Sequence, residues 1–420
     1  MSRLDAAKLS LAGAAWLETD ATQRVFRALG KSGYTVRAVG GSVRNALLGL
    51  DVTEIDLATD APPEDVMQLA KAAGLKTVPT GIEHGTVTVL SGGSPYEVTT
   101  LRRDVETFGR KATVAFTDDW TEDAGRRDFT MNALYADADG TIHDPIGGLD
   151  DLRAGRVRFI GDPHARIRED YLRILRFFRF NARFGAPPYD AAALSACVRE
   201  RGGLARLSAE RVRMELLKLL VAGGAVDALE SMFDHGLRVE VLGGAPLLAR
   251  LKRLIGIEAA AKEPACALRR LAALAVFVPE DADRLGERLR LSNKEQAMLH
   301  AAARWRQFLP RPQEAQAKIL LYRMGSDSYR RAAMQAWASS GAPAGDVGWL
   351  ALVGLPARWI APEFPLRGAD ITSLGVAKGP RVGAVLAEVE SRWIESGMRA
   401  SRDELLRQAE KAVAEKGGKT

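Results

Sequence analysis

The chain is short of cysteine and of long apolar runs, and each shortage removes a class of architecture. Cys197 and Cys266 are the only cysteines in 420 residues. That is too few for a disulfide framework or a cysteine-based zinc site, and it fits a reducing cytoplasm. No apolar run approaches the ~20 residues of a membrane-spanning helix, so no membrane partner is expected. The N-terminus carries Asp5, Glu18 and Asp20 and lacks the basic start and sustained apolar core of an export signal. No internal repeat is visible. Asp234-His235 is isolated and in the reverse order for a His-Asp hydrolase, so no attached phosphohydrolase is expected.

What remains is ordinary for a globular protein, 47% apolar and 27% charged. A length of 420 residues exceeds one compact core, so two or more domains are expected. Lysine and arginine outnumber aspartate and glutamate by 59 − 53 = 6, with a pI near 9.3. That balance favours a polyanionic partner.

The stretch from Val39 to Thr59 organises the rest. Gly40-Gly41 follows an apolar run that reads as a strand, and Ser42 to Leu48 reads as a short helix stopped by Gly49. Glu54 to Thr59 reads as a second strand. Side chains two apart on a strand share a face, so Glu54 and Asp56 stand side by side, with Ile55 and Leu57 turned inward. Adjacent carboxylates repel unless a cation lies between them, which suggests Mg²⁺. The glycines let bare backbone approach an anion, and Arg44 adds a fixed positive charge. Together these describe a nucleoside-triphosphate site that transfers a phosphoryl or nucleotidyl group.

Further along, Glu64 to Ala73 has a helical period, with Pro63 before it and Gly74 after. Leu75 to Val78, Thr86 to Leu90 and Tyr96 to Leu101 read as strands, with Gly92-Gly93 a hairpin turn. The natural sum is a mixed sheet flanked by helices. Residues 1–30 read as one or two packing helices. Arg102 to Thr121 is charged and poor in periodicity, and reads as a mobile loop. Arg166 to Phe180 reads as one amphipathic helix, on which Asp170 and Arg173 share a face. Ser208 is a candidate N-cap for a helix that opens Ala209-Glu210-Arg211. From about 225 onward the chain reads as helical.

Four of these segments carry a family pattern. Gly40-Gly41-Ser42-Val43-Arg44-Asn45-Ala46-Leu47-Leu48-Gly49 with Glu54-Ile55-Asp56, then Arg126-Arg127-Asp128-Phe129-Thr130 with Asn132-Ala133-Leu134, then Glu169-Asp170-Tyr171-Leu172-Arg173, then the weaker Ser208-to-Arg211 segment, follow in order. The chain thereby resembles the DNA polymerase β-like nucleotidyltransferases, in particular the class II tRNA nucleotidyltransferase (CCA-adding enzyme) and bacterial poly(A) polymerase family. Asn45 stands where that family usually has aspartate, and Glu54 replaces the first aspartate of its pair.

The resemblance implies an α+β fold: a polymerase β-like head over residues 1–150, a base-recognising helical neck over 151–225, and a helical body and tail over 226–420 that binds tRNA. It implies Mg²⁺ on Glu54 and Asp56, with Glu97 as a third catalytic carboxylate. Gly40, Gly41, Arg44, Arg126, Arg127, Arg176 and Arg179 would meet the phosphates, and Asp128 a ribose hydroxyl. His84 reads as a loop residue. Asp170 and Arg173 would read the base, since cytosine and adenine each place an amine donor beside a ring-nitrogen acceptor. The expected partners are CTP, ATP and the 3′ end of tRNA. In this family a flexible loop at the position of 102–121 is tied to adding the terminal A, which favours a complete CCA enzyme. Glu83-His84-Gly85-Thr86 lacks the more basic stretch of poly(A) polymerases, the alternative reading. An inactive RNA-binding relative, with Glu54 marking a decayed site, is the other. Phe364 to Gly383 reads either as an RNA-phosphate contact or as a helix-connecting turn.

Overall fold

The structure, a computed structural model, describes residues 10–108, 111–237 and 241–417. It divides into two compact units, one of residues 1–246 with 288–290, the other of 247–287 with 291–420.

The first unit begins with a sheet. Its strands are β1 (Val36–Val39), β2 (Ile55–Thr59), β3 (Lys76–Gly81), β4 (Thr86–Ser91) and β5 (Ser94–Thr100). After β6 (Arg102–Phe108) and β7 (Lys111–Phe116) come β8 (Tyr135–Ala136) and β9 (Ile142–His143). Seven of them pair in the order β3-β4-β5-β2-β1-β8-β9. β2 and β5 run parallel and the other neighbours antiparallel, so the sheet is mixed as expected. Helices α1 (Asp20–Leu29), α2 (Gly41–Leu47) and α3 (Pro63–Ala72) follow the expected positions. Of the residue 1–30 expectation, one helix forms, and residues 1–9 lie outside the described residues. α1 and α3 pack on one sheet face, where the Thr22 and Tyr96 hydroxyls meet at 3.0 Å.

The expected loop over 102–121 is instead an antiparallel ribbon of β6 and β7, separate from the main sheet, followed by α4 (Trp120–Gly125). Gly109 and Arg110 lie outside the described residues. Val105, Thr107, Thr113, Val114 and Phe116 are strand formers, and the interspersed charges obscured them.

The helical part of this unit continues with α5 (Gly148–Ala154), α6 (Pro163–Glu169), α7 (Leu172–Phe184), α8 (Ala191–Arg199), α9 (Ala209–Leu220) and α10 (Ala225–Asp234). The single helix expected over 166–180 is therefore two, and Asp170 lies between them with extended backbone (φ −153°, ψ 104°). The reason is capping. Asp170 Oδ1 accepts from the Leu172 amide at 3.1 Å and its carbonyl from the Arg173 amide at 3.0 Å, so the aspartate starts α7 rather than continuing α6.

Rings join the sheet-bearing part to α7. Phe129 packs against Phe159 and against Phe180, each at 4.9 Å between centroids, and Phe177 and Phe178 are fully buried beside them. Each such ring contributes about 1.5–3 kcal/mol of burial. Asp151, buried in α5, accepts from Thr130 Oγ1 (2.6 Å), Arg156 Nε (2.6 Å) and Arg158 Nε (2.7 Å). At Gly148 a β-carbon would lie 2.2 Å from the Thr130 carbonyl oxygen, so only glycine lets α5 approach this closely.

The second unit is helical, as expected, with a core around Trp337 and Trp349, stacked at 6.4 Å, and another around Trp393. Within its Phe364 to Gly383 stretch, Gly368–Ser373 is helical and Gly379 precedes the helix Pro380–Glu395. No helix among the described residues is long and apolar enough to cross a membrane. Cys197 and Cys266 are free thiols.

Candidate active site

Strand register sets the acids. Asp56 on β2 lies opposite Glu97 on β5 and opposite Val39 on β1. Ladder partners share a face, so the two carboxylates project together, while Leu57 and Val98 turn to the face covered by helices and are buried. Glu54 lies one residue before β2 begins, not within it. Asp56 is open to solvent along one edge. Desolvation by the surrounding protein, then the charges of Glu97 and Glu54, push its carboxyl up to about 6 against the pull of Arg127. A carboxylate raised in this way takes stability away as pH climbs from the ordinary value of 3.8 to about 6, and the loss is complete above that. Asp56→Asn is therefore expected to melt with the parent near pH 4 and above it at pH 8, in thermal scans without divalent metal. Equal melting temperatures at pH 8 would show that the acids are not under mutual strain.

A cleft of about 550 Å³ gathers Glu54 and Asp56 with several arginines. One wall is Gly40, Gly41 and Arg44 with Glu54 and Asp56, another Arg127, Asp128 and Asn132, and the third Asp170, Leu172, Arg173, Arg176, Phe180 and Arg211. Gly40 holds φ 72° and ψ −118°, a conformation only glycine adopts freely, and a β-carbon there would lie 3.4 Å from the Arg127 guanidinium. A second cavity of about 600 Å³ shares only Glu54 and Asp56 with the first. Glu97, Trp16, Thr19 and Thr53 also line it, and no lysine or arginine does.

Arg44 is buried, and its hydrogen bonds go to amide oxygens: Nη2 to Asn45 Oδ1 at 2.8 Å, Nη1 to Asn132 Oδ1. Its guanidinium stacks over Phe184 at 4.2 Å. Burial, with the like charges of Arg183, Arg179 and Arg176, brings its pKa down to about 9 despite Asp128. Aspartate at position 45 would neutralise this cation, so Asn45 keeps it uncompensated. Nearby, Arg127 Nε is buried with no hydrogen-bond partner. Both features suit an anion. Arg44→Met is expected to raise the KM for a nucleoside triphosphate about tenfold or more without lowering the melting temperature, read by initial rates and thermal scans. An unchanged KM would remove Arg44 from the anion site.

The remaining expected residues are held by carboxylates. Asp123, almost fully buried, accepts from Arg126 Nε (2.7 Å), Arg127 Nη2 (3.2 Å) and the Tyr135 hydroxyl (2.8 Å). Arg126 is thereby turned out of the cleft lining. Asp128 accepts from the Phe129 amide, Asn132 Nδ2 and, through both Nε and Nη2, from Arg176. Burial opposes ionisation there, but Arg176 and these donors outweigh it and bring Asp128 down to about 2. Arg179 pairs with Glu215, outside the cleft lining. Asp170 and Arg173 both line the cleft but do not share a helix face. Asp170 Oδ2 pairs with Arg211 at 2.7 Å and Arg173 with Glu169 at 2.5 Å.

Sequence reasoning did not assign Asn132, Arg211, Asp123 or Phe180 to the site. The first two sat inside the quoted family segments and were legible there. Asp123 and Phe180 carried no local signal. His84 borders the sheet, where its carbonyl accepts from Arg102. Among the described residues, no three His, Cys, Asp or Glu side chains form a ready-made metal cage.

Residues 36–158 match the family described as the poly A polymerase head domain, and residues 190–249 match a probable RNA and SrmB-binding site of polymerase A. The mitochondrial CCA tRNA nucleotidyltransferase 1 of Mus musculus is 33% identical over 398 residues, spanning 93% of this chain and 90% of its own length. The CCA-adding enzyme of Limosilactobacillus fermentum is 30% identical over 93% of this chain and 96% of its own. Among solved structures, the CCA-adding enzyme of Bacillus stearothermophilus in complex with CTP superposes with a TM-score of 0.77 at 28% identity, covering 96% of this chain and all of that one. The fold, the ordered segments and these relatives agree: the chain is a nucleotidyltransferase and belongs to the family of CCA-adding enzymes.

Proposed function

We propose that this protein adds CMP, CMP and then AMP to the 3′ end of tRNA, taking CTP and ATP without a nucleic-acid template. One observation carries the reading. A single cleft is lined by Glu54 and Asp56, by Arg44 and Arg127, and by Asp170 and Arg173, which supports placing one nucleotide across all three walls.

The phosphates fit the Arg44 and Arg127 wall: Arg44 has no carboxylate among its hydrogen-bond partners, and Arg127, though paired with Asp123, keeps a buried Nε without a hydrogen-bond partner. The base fits Asp170 and Arg173. Asp170 accepts from the exocyclic amine of cytosine or adenine and Arg173 donates to the adjacent ring nitrogen. Uracil and guanine reverse that pattern, set acceptor against acceptor and donor against donor, and forfeit both hydrogen bonds, at about 1–3 kcal/mol each. Asp128 serves the ribose by exchanging part of its Arg176 bond for a hydroxyl, which leaves Arg176 free to face the triphosphate, while Arg179 adds positive charge from behind the lining, where it is paired with Glu215. Arg126 acts from its Asp123 pair. The cavity beyond Glu54 and Asp56, which has no cation in its lining, offers a neutral sugar of the RNA end a place on the far side of the acids.

Nucleotidyltransferases of this family are generally metal-dependent, and the residues here fit Mg²⁺. Glu54 and Asp56 are hard oxygen donors that repel one another, with Glu97 alongside. Mg²⁺ takes one or two carboxylates plus substrate phosphates, and Glu54 and Asp56 offer such carboxylates beside the cleft's arginines. When bound, the ion would polarise the α-phosphate and ease ionisation of the attacking hydroxyl. The chain's own part is to hold that hydroxyl and the α-phosphate on opposite sides of Glu54 and Asp56.

We assign head, neck, and body with tail to residues 1–150, 151–225 and 226–420, with tRNA contact in the last, and the cytoplasm as the compartment. The test is incubation of tRNA lacking its 3′ end with labelled CTP and ATP, followed by sequencing of the product end. CCA ends are expected. Long A tails from ATP alone would make the protein a poly(A) polymerase, and no incorporation would make it an inactive relative.

A further inference from the structure

Arg166 belongs to no part of the mechanism so far, yet it touches both ends of the cleft. It lies in α6, 9% exposed, outside the Glu169-to-Arg173 segment. Its Nη2 donates to the main-chain carbonyl of Arg127 at 2.6 Å and to that of Arg126. Those carbonyls sit directly before Asp128, on the segment that aims the Arg127 guanidinium. Its Nη1 donates to Glu169 Oε2, and the same oxygen takes Arg173 Nη1 at 2.5 Å. Arg173 Nη1 also donates to the Arg166 carbonyl at 2.7 Å. One buried guanidinium fork is thus bonded at one end to the phosphate-gripping segment and at the other, through a shared carboxylate oxygen, to the base-reading arginine.

We propose that Arg166 is a positioning residue that couples base selection to phosphate grip. Resting on the reading of this cleft as the nucleotide site, it deepens it. A base that pairs correctly with Arg173 pulls on Glu169, and Arg166 carries the displacement to the backbone that places Arg127. A wrong base leaves Glu169 where it is and Arg127 out of register. The coupling needs a planar fork that spans two acceptors in different directions. An ammonium is a point donor and cannot hold both in the same geometry.

The test uses the full chain with tRNA lacking its 3′ end, and reads three quantities: the ratio of kcat/KM for CTP over UTP, the KM for CTP, and the melting temperature. Arg166→Lys keeps the charge that Glu169 needs. It is expected to lower the CTP-over-UTP ratio about tenfold, the worth of one charged hydrogen bond, and to raise the KM for CTP. Glu169→Gln reads the same link from its other end and does not depend on a lysine folding at 166. It is expected to lower the ratio similarly. A purely structural staple would lower the melting temperature or kcat and leave the ratio unchanged, and an unchanged ratio in either variant would overturn the coupling. Parent enzyme that took CTP and UTP alike would instead overturn the base-reading assignment, and the coupling with it.

Discussion

Asp56→Ala is expected to abolish nucleotide addition, lowering kcat by about a thousandfold or more, while tRNA binding stays close to the parent's. The size follows from position. Asp56 is the acid nearest the sheet centre, facing Glu97 across the ladder, and it lines both cavities. Removing it takes away a donor that no neighbour replaces. The fold should not suffer, because the carboxyl, exposed along the cleft, is a source of repulsion in the absence of metal, held up to about 6 by desolvation from the surrounding protein and by the Glu97 and Glu54 charges. Loss of activity with an undiminished melting temperature therefore separates a catalytic role from unfolding. Initial-rate assays and a tRNA-binding titration on the same preparation decide it. Turnover near the parent's would remove Asp56 from the reacting centre.

Arg173→Ala is expected to cut discrimination of CTP and ATP against UTP by about ten- to a hundredfold. Every recorded bond of Arg173 uses Nη1, one nitrogen of its fork, and goes to Glu169 or the Arg166 carbonyl. Truncation leaves Asp170 compensated by Arg211 and Glu169 by Arg166, so no carboxylate is stranded. What disappears is the donor to the ring nitrogen of cytosine or adenine, the contact that uracil cannot accept. Competition assays with mixed triphosphates measure it. Discrimination that survived intact would show that the base is read elsewhere.

The acids and the glycine turn were legible in the sequence because they follow local rules. A strand alternates, so Asp56 and Leu57 had to point apart, and Gly40 had to take a conformation closed to other residues. Register is not local. That Glu97 faces Asp56 depends on β5 lying parallel beside β2, a pairing between segments some forty residues apart. Asp170 misled for a different reason: the apolar period runs through it unbroken, but its side chain caps the next helix and splits the segment. The partners of the arginines were hidden altogether. Asp123 gathers Arg126, Arg127 and Tyr135, and Glu215 takes Arg179 from another helix. Such networks are set by packing, which no spacing in the chain records. The charges of β6 and β7 concealed strand formers in the same way.

The most direct measurement is an experimental structure with bound CTP. The base is expected within hydrogen-bond distance of Asp170 and Arg173, the phosphates against Arg44 and Arg127, and the α-phosphate facing both Glu54 and Asp56. A base lying away from residues 170 and 173, or the two acids turned from each other, would contradict the account.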